Sequence, residues 1–255
     1  VAESVLAESA FKPIVVIPVY NHEEAISVTL ADVLRFGYPV LLVDDGSSAK
    51  CRDVLVGLRD QYAGRVSLMR LEQNGGKGAA VKAGLRQALE AGYSHAVQVD
   101  ADGQHDLDDI PLFMEVAYSS PEALVIGYPR YDESVPTHRY LARYLTHIWV
   151  WINTLSFLVK DTMCGFRVYP LTQVVSLLQE DCCGDRMEFD TEVVVRWVWR
   201  GLAVENLPTK VHYPIDGVSH FNAVKDNVLI SRMHAKLFFG MLLRLPRLMR
   251  KKLNV

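Results

Sequence analysis

The sequence is short of the features that mark disulfide-stapled, zinc-bound or membrane-spanning chains. Only four cysteines occur in 255 residues: Cys51, Cys164, Cys182 and Cys183. Two are adjacent and none forms a CxxC pair, so neither a disulfide framework nor a zinc site is expected, and the thiols read as reduced. No uninterrupted apolar run reaches about 18 residues, so no membrane span is expected. The nearest approach, "LTHIWVWINTLSFLV" at 145–159, is interrupted by His147 and Asn153. It reads as a buried helix or as one lying at a membrane surface. The opening "VAESVLAESAFKP" carries acids where a secretory leader would carry lysine or arginine, which favours a cytoplasmic protein. Net charge is small, −3, and gives no global signal for nucleic acid.

What is present is an ordered, apolar chain. Half the residues are hydrophobic, enough for one large domain or one domain with an appendage. Apolar strands alternate with amphipathic helices through residues 13–130. "PIVVIPVYN" is a strand, "EEAISVTLADVLRF" a helix that Gly37 stops, and "PVLLVDDGSS" a strand running into an acidic turn. "CRDVLVGLRDQY" is a helix, "RVSLMRLE" a strand and "KGAAVKAGLRQALEAG" a strong helix. "HAVQVDADG" is the fourth strand, "DDIPLFMEVAY" a short helix with Pro111 in its first turn, and "EALVIGYPR" the fifth strand. Such alternation predicts an α/β layer structure with a mostly parallel central sheet flanked by helices. Beyond it, helices are expected at 137–159, 170–180, 190–200 and 222–243, with a short strand at "TKVHYP".

In open parallel sheets, ligands gather beyond the carboxyl ends of the strands. Here those ends carry Tyr20 and Asn21, Asp44 and Asp45, and Asp100 and Asp102, with the "NGGKG" turn nearby. If extended geometry persists past "HAVQV", Asp100, Asp102 and Gln104 project together. An all-oxygen set suits Mg²⁺ or Mn²⁺, which needs only one or two carboxylates when phosphate oxygens complete its shell. Asp106, Asp108 and Asp109 more simply begin the next helix. "VDDGSS" offers carboxylates to a base or a ribose, and is equally good turn chemistry. The glycine-rich "NGGKGAAVKAG" opens a helix whose N–H groups and Lys77 could meet phosphate, although it fits neither a Walker loop nor a dinucleotide fingerprint. Arg167 in "DTMCGFRVYP" reaches a phosphate or pairs with an acid. Glu188, Asp190 and Glu192 in "RMEFDTEVVVRWVWRG" are general-base candidates, Asp190 first among them; Asp190 also suits a helix N-cap. The eight histidines show no metal-ligand spacing.

Taken in order, "IPVYNHEE", "LLVDDGSS", "NGGKGAAVKAG", "VDADGQH" and "DTMCGFRVY" resemble family 2 glycosyltransferases of the GT-A fold. The likeness is greatest to the dolichol-phosphate mannose synthase and polyprenyl-phosphate glycosyltransferase branch. It covers about residues 12–215. It implies a GT-A domain over 1–215, followed by a helical, basic extension over 216–255. It implies an inverting transfer from a UDP- or GDP-sugar, with Mg²⁺ or Mn²⁺, to a lipid-linked or glycolipid acceptor. Carried over by position, Pro18 and Tyr20 line the base pocket and Asp45 binds base or ribose. Asn21, Asp44 and Arg167 join the donor set. Lys77 lies near the donor. Asp100, Asp102 and Gln104 hold the metal, and Arg130 and His220 contact phosphates. The chain departs from the branch at His22, inserted before Glu23, and at Pro214 and His220, where a basic pair is usual. "YPIDGVSHFNAVKDN" is closer to bacterial members linked to glycolipid assembly in the cell envelope. A sugar nucleotidyltransferase is the alternative, but "PVYNHEE" lacks the glycine-rich first loop it needs; a nucleotide-sugar-binding domain without catalysis is another. From Lys225 onward eight basic residues face one acid, Asp226. That end is expected to touch the inner face of the cytoplasmic membrane.

Overall fold

The computed structural model describes residues 11–130, 137–211 and 223–253. The expected alternation is present through residue 130: β1 (Pro13–Val19), α1 (Ile26–Leu34), β2 (Val40–Asp44), α2 (Ala49–Gln61), β3 (Val66–Arg70), α3 (Lys77–Glu90), β4 (His95–Gln98), α4 (Ile110–Ser119) and β5 (Leu124–Arg130). There follow α5 (Thr137–Thr154), β6 (Arg167–Pro170), α6 (Leu171–Glu180), α7 (Phe189–Arg200), β7 (Val204–Lys210) and α8 (Ala223–Leu253). The seven strands form one sheet in the order β3-β2-β1-β4-β6-β5-β7. All neighbours are parallel except β6, which runs against both β4 and β5. The chain moves outward from β1 to β3 and then returns to place β4 on the other side of β1. The carboxyl ends of β1 and β4 therefore flank a switch point, where a ligand crevice forms.

Strand residues alternate between two cores. Ile14 and Val16 face α3, α6, α7 and α8, while Val15 and Ile17 face α1, α2 and α4. Each fully buried aliphatic side chain stabilises this arrangement by roughly 1.5–3 kcal/mol. Helix α3 lies close on the sheet. A Cβ on Gly84 would stand 2.6 Å from Val16 Cγ1 and 2.9 Å from Val43 Cγ2, so a larger residue would lift the helix that carries Lys77.

Three expectations need correction. Strand β6 lies inside "DTMCGFRVYP", which carries no strand-like alternation because its four strand residues are all buried. The last strand is Val204–Lys210 rather than "TKVHYP"; it tolerates Pro208 because it is an edge strand, paired only with β5. Helix α8 does not stop at Leu243 but continues to Leu253 through Pro246.

Helices α5, α7 and α8 meet around a buried polar pair. His234 and Asn153 are both buried, with Asn153 Nδ2 and His234 Nδ1 at 3.5 Å. Trp199 Nε1 donates to the Asn153 carbonyl at 2.8 Å. Burial pushes the His234 imidazole down to about 4. The unfolded chain protonates this ring near pH 6.5 and the folded chain does not, so stability is lost as pH falls from about 6.5 toward 4. The loss expected between pH 7 and pH 5 is about 2 kcal/mol, or roughly 4–8 °C in melting temperature. His234→Leu should flatten that profile in a pH series of thermal melts. Parallel profiles for the two proteins would refute the assignment.

Candidate active site

At the carboxyl end of β4 the chain stops being extended. Residues 101–103 turn, with Gly103 at φ +70°, a conformation that a side chain disfavours. Alternation therefore does not align Asp100, Asp102 and Gln104; the turn separates their roles. Asp100 points inward. Lys77 Nζ lies 2.9 Å from its Oδ1 and donates to its Oδ2 at 3.0 Å, and His105 Nε2–H donates to Oδ2 at 3.2 Å. Asp102 is half-buried, and its Oδ1 accepts the Gln104 N–H at 3.1 Å. As expected, the later acids start the next element: Asp106 accepts from the Asp108 N–H at 3.2 Å, in a short 3-10 turn ahead of α4.

Lys77 begins α3 and is the centre of the site. Its ammonium also lies 3.0 Å from Asp190 Oδ2, on the first turn of α7. Asp190 Oδ1 in turn faces the Arg167 guanidinium at 3.8 Å. Burial works against all these charges, but the pairing wins. Asp100 is held well below the usual carboxylate range by Lys77 and His105, and Lys77 well above the usual ammonium range by Asp100 and Asp190. Burial lowers His105 too, yet its hydrogen bond to Asp100 pushes it up to about 10, so the ring is cationic at neutral pH. Three cations, Lys77, His105 and Arg167, thus surround two carboxylates. An ammonium has three N–H donors, and three carboxylate oxygens, two of Asp100 and one of Asp190, lie within 3.0 Å of this one.

The second acidic turn serves as scaffold. Asp44 is fully buried; it pairs with Arg70 and accepts the Ser47 N–H at 2.8 Å. Asp45 accepts from Gly75 N–H at 2.8 Å, Gly76 N–H at 2.9 Å and Asn74 Nδ2 at 2.9 Å. Burial raises its carboxyl, against those two glycine N–H groups. Asp45 thus fastens the loop that carries Lys77, and Asp44 ties its own turn to β3. Asn21, at φ +53°, joins the ends of β1 and β2: its N–H donates to Ser47 Oγ at 3.1 Å, and its Oδ1 accepts the Ser48 N–H at 2.8 Å. Pro18 and Tyr20 are half-buried at that strand end, and Arg130 is exposed at the end of β5.

Arg167 is not available to a phosphate. It is completely buried and donates to the carbonyls of Thr162 (2.7 Å), Cys164 (2.8 Å) and Asp190 (2.7 Å), and to Tyr169 Oη (3.2 Å). Because β6 is antiparallel, its first residue arrives at the edge where β4 ends, so Arg167 supports Asp190 from below. Glu192 also leaves the base candidates: it accepts from Arg196 (2.6 Å), Lys236 (3.2 Å) and Gly184 N–H (2.8 Å). Glu188 is buried in the turn before α7, and its Oε1 accepts the Arg186 N–H at 3.4 Å. His220 and Pro214 lie outside the described residues. Sequence reasoning missed His105 as the second partner of Asp100, and no spacing signals it. It also missed Arg70, which no local pattern couples to Asp44.

Among the described residues no three His, Cys, Asp or Glu side chains form a closed metal site. The donor set nevertheless fits a hard cation that keeps most of its shell for a ligand. Asp102, two residues past Asp100, has one oxygen that accepts no hydrogen bond among the described residues, and one or two carboxylates suffice for Mg²⁺.

Comparison with known proteins agrees with this geometry. Residues 14–174 match the model of glycosyl transferase family 2. An undecaprenyl-phosphate 4-deoxy-4-formamido-L-arabinose transferase of Pectobacterium atrosepticum is 30% identical over 181 residues, 69% of this chain and 53% of the relative. A UDP-N-acetylglucosamine–dolichyl-phosphate N-acetylglucosaminyltransferase of Methanococcus voltae is 25% identical over 219 residues, 78% of this chain and 84% of that one. The chain thus spans about half of the first relative and most of the second. In fold it is similar to glucosyl-3-phosphoglycerate synthase from Mycobacterium tuberculosis, solved with Mn²⁺, UDP-glucose and phosphoglyceric acid. The TM-score is 0.63 at 14% identity, over 92% of this chain and 81% of that one. The GT-A fold, the ordered strand-end motifs and the family match lead to one conclusion: the chain is a glycosyltransferase and belongs to glycosyl transferase family 2.

Proposed function

We propose that this glycosyltransferase moves a sugar, with inversion, from a nucleoside-diphosphate donor to a polyprenyl-phosphate acceptor. The observation that carries the reading is the bridging of Asp100 and Asp190 by Lys77. It fixes one ammonium at the end of β4, where a donor diphosphate would lie. It also occupies Asp190, the leading base candidate, while Glu192 is taken by Arg196 and Lys236. A hydroxyl acceptor needs a base as it attacks; a phosphate is already nucleophilic. The acceptor oxygen attacks the anomeric carbon as the bond to the diphosphate breaks, and the electron pair leaves on a phosphate oxygen. Lys77 sets its ammonium charge beside that developing charge. Asp190 and Asp100 hold the ammonium in place, and His105 holds Asp100. Asp102, with Asp100 as a second carboxylate, would bind Mg²⁺ or Mn²⁺, which supplies further neutralisation of the leaving diphosphate. The names of the relatives, which include undecaprenyl-phosphate and dolichyl-phosphate transferases, support the acceptor class.

Labelled UDP- and GDP-sugars should be assayed with Mn²⁺ against undecaprenyl phosphate and against a glycolipid bearing only hydroxyls. Transfer to the phosphate is expected. Asp190→Asn should raise the donor KM and leave the pH dependence of kcat where it was. Transfer confined to the hydroxyl acceptor, with an acidic limb that disappears in Asp190→Asn, would restore Asp190 as a base and overturn the phosphate reading.

A further inference from the structure

The outer faces of α5 and α8 carry large apolar side chains that nothing in the chain's core requires. On α5, Leu145, Ile148, Trp149 and Ile152 are exposed, and their spacing of three, one and three places them on one stripe. Just past the helix, Phe157 is 81% exposed and sits edge-on to Trp151 at 5.3 Å. Helix α8 buries Met233, Leu237, Met241 and Leu248 in the core, yet leaves Phe239 at 65% and Leu243 at 84% exposure, with Leu242, Leu245 and Met249 also exposed. The two helices touch: Trp149 stacks over His234 at 5.9 Å and meets Phe238 edge-on at 6.3 Å. The stripes therefore adjoin. Beside the apolar band, Arg232, Lys236, Arg247 and Arg250 are exposed on α8.

A solvated helix face has no use for such a band, and adjoining exposed apolar residues mark an interaction surface. The flanking charge chooses the partner. A second copy would bring the basic stripes toward each other. A bilayer surface offers acyl chains to the apolar band and phosphate headgroups to the arginines at the same depth. No helix among the described residues is long and apolar enough to cross a membrane, so the contact lies in the interface plane. We propose that α5 and the outer face of α8 together form one docking surface for an anionic lipid bilayer. The proposal extends the expected basic C-terminal contact to a second helix. It rests on the acceptor reading only in placing the acceptor in that same bilayer.

The test uses the full chain and vesicles of phosphatidylcholine, alone or with one quarter phosphatidylglycerol, without donor or acceptor. Co-sedimentation with the anionic vesicles is expected, weaker by about 30-fold or more on phosphatidylcholine alone and falling with salt. Leu145→Asp with Ile148→Asp on α5, and Phe239→Asp with Leu243→Asp on α8, should each lower partitioning at least about tenfold without moving the melting temperature. Arg232→Gln with Arg250→Gln should lower it on anionic vesicles only, by about 10- to 30-fold. Three results overturn the proposal: no sedimentation of the unmodified chain, undiminished sedimentation of the α5 pair, or a dimer that the α5 pair dissolves while vesicles bind nothing. None of these touches transfer to a detergent-dispersed acceptor, so this proposal and the acceptor reading can fail separately.

Discussion

Lys77→Met should reduce sugar transfer by about 10²–10³-fold or more, the loss that follows removal of one preorganised donor to a developing negative charge. It should also destabilise the fold. In the unmodified protein Lys77 is mostly buried and lies within 3.0 Å of both Asp100 and Asp190. Methionine fills much the same space but leaves Asp190 with only the Arg167 guanidinium at 3.8 Å and Asp100 with only His105. Stranding a buried charge in this way costs about 3–5 kcal/mol. Lys77→Arg separates the two effects. It restores the cation and most of the stability, but a planar fork cannot reproduce the geometry of a compact ammonium between two carboxylates. Thermal melts and steady-state rates on the three proteins decide the matter. Unchanged turnover in Lys77→Met would remove Lys77 from the reaction, and an unchanged melting temperature would deny that it is the counter-ion of Asp100 and Asp190.

Arg167→Leu is expected to cost about 3–5 kcal/mol through the fold itself. The guanidinium has no exposure and satisfies three carbonyls and the Tyr169 hydroxyl. Leucine would leave those buried oxygens short of a donor, and Asp190 without its second cation. Against a typical margin of 5–15 kcal/mol, this removes a large share of the stability and should lower the melting temperature by roughly 6–20 °C. Arg167→Lys keeps the charge but has fewer, differently aimed donors, so it should recover only part of the loss. A shift under about 3 °C for Arg167→Leu would mean that water or repacking replaces those bonds, and that Arg167 is less central than its contacts imply.

The parts of this molecule legible in its sequence are those with a local cause. Strand and helix periods placed β1 to β5 and their helices. The position of acids after apolar strands pointed to the candidate site, because parallel strands send their carboxyl ends to one edge. The acids from Asp106 onward were correctly assigned to the start of the next element, since a capping carboxylate acts over two or three residues. Illegible were interactions whose partners meet only in the folded state. Lys77 meets Asp190, Asp44 meets Arg70, and His105 closes back on Asp100 through a turn that Gly103 imposes. The alternation drawn through Asp100, Asp102 and Gln104 failed for the same reason: period two holds only while the backbone stays extended, and here it ends at Gln98. Arg167 stayed open between a phosphate and an acid, and only its burial and its place beside Asp190 show that its bonds are internal.

The antiparallel strand β6 also bears on how the chain is made. In the finished sheet β5 touches only β6 and β7, and residues 131–166 lie between β5 and β6. A nascent chain that has emerged only through β5 can zip β3, β2, β1 and β4 together, but β4 then presents an open edge and Leu124, Val125 and Ile126 have no strand to join. Their wait ends when Arg167–Pro170 leaves the ribosome and bridges the gap. Translation speed across residues 131–166 therefore sets how long an apolar strand and a bare sheet edge stay exposed together, the combination that invites mispairing between neighbouring chains. A pause in that stretch would lengthen the exposure and with it the demand for chaperones.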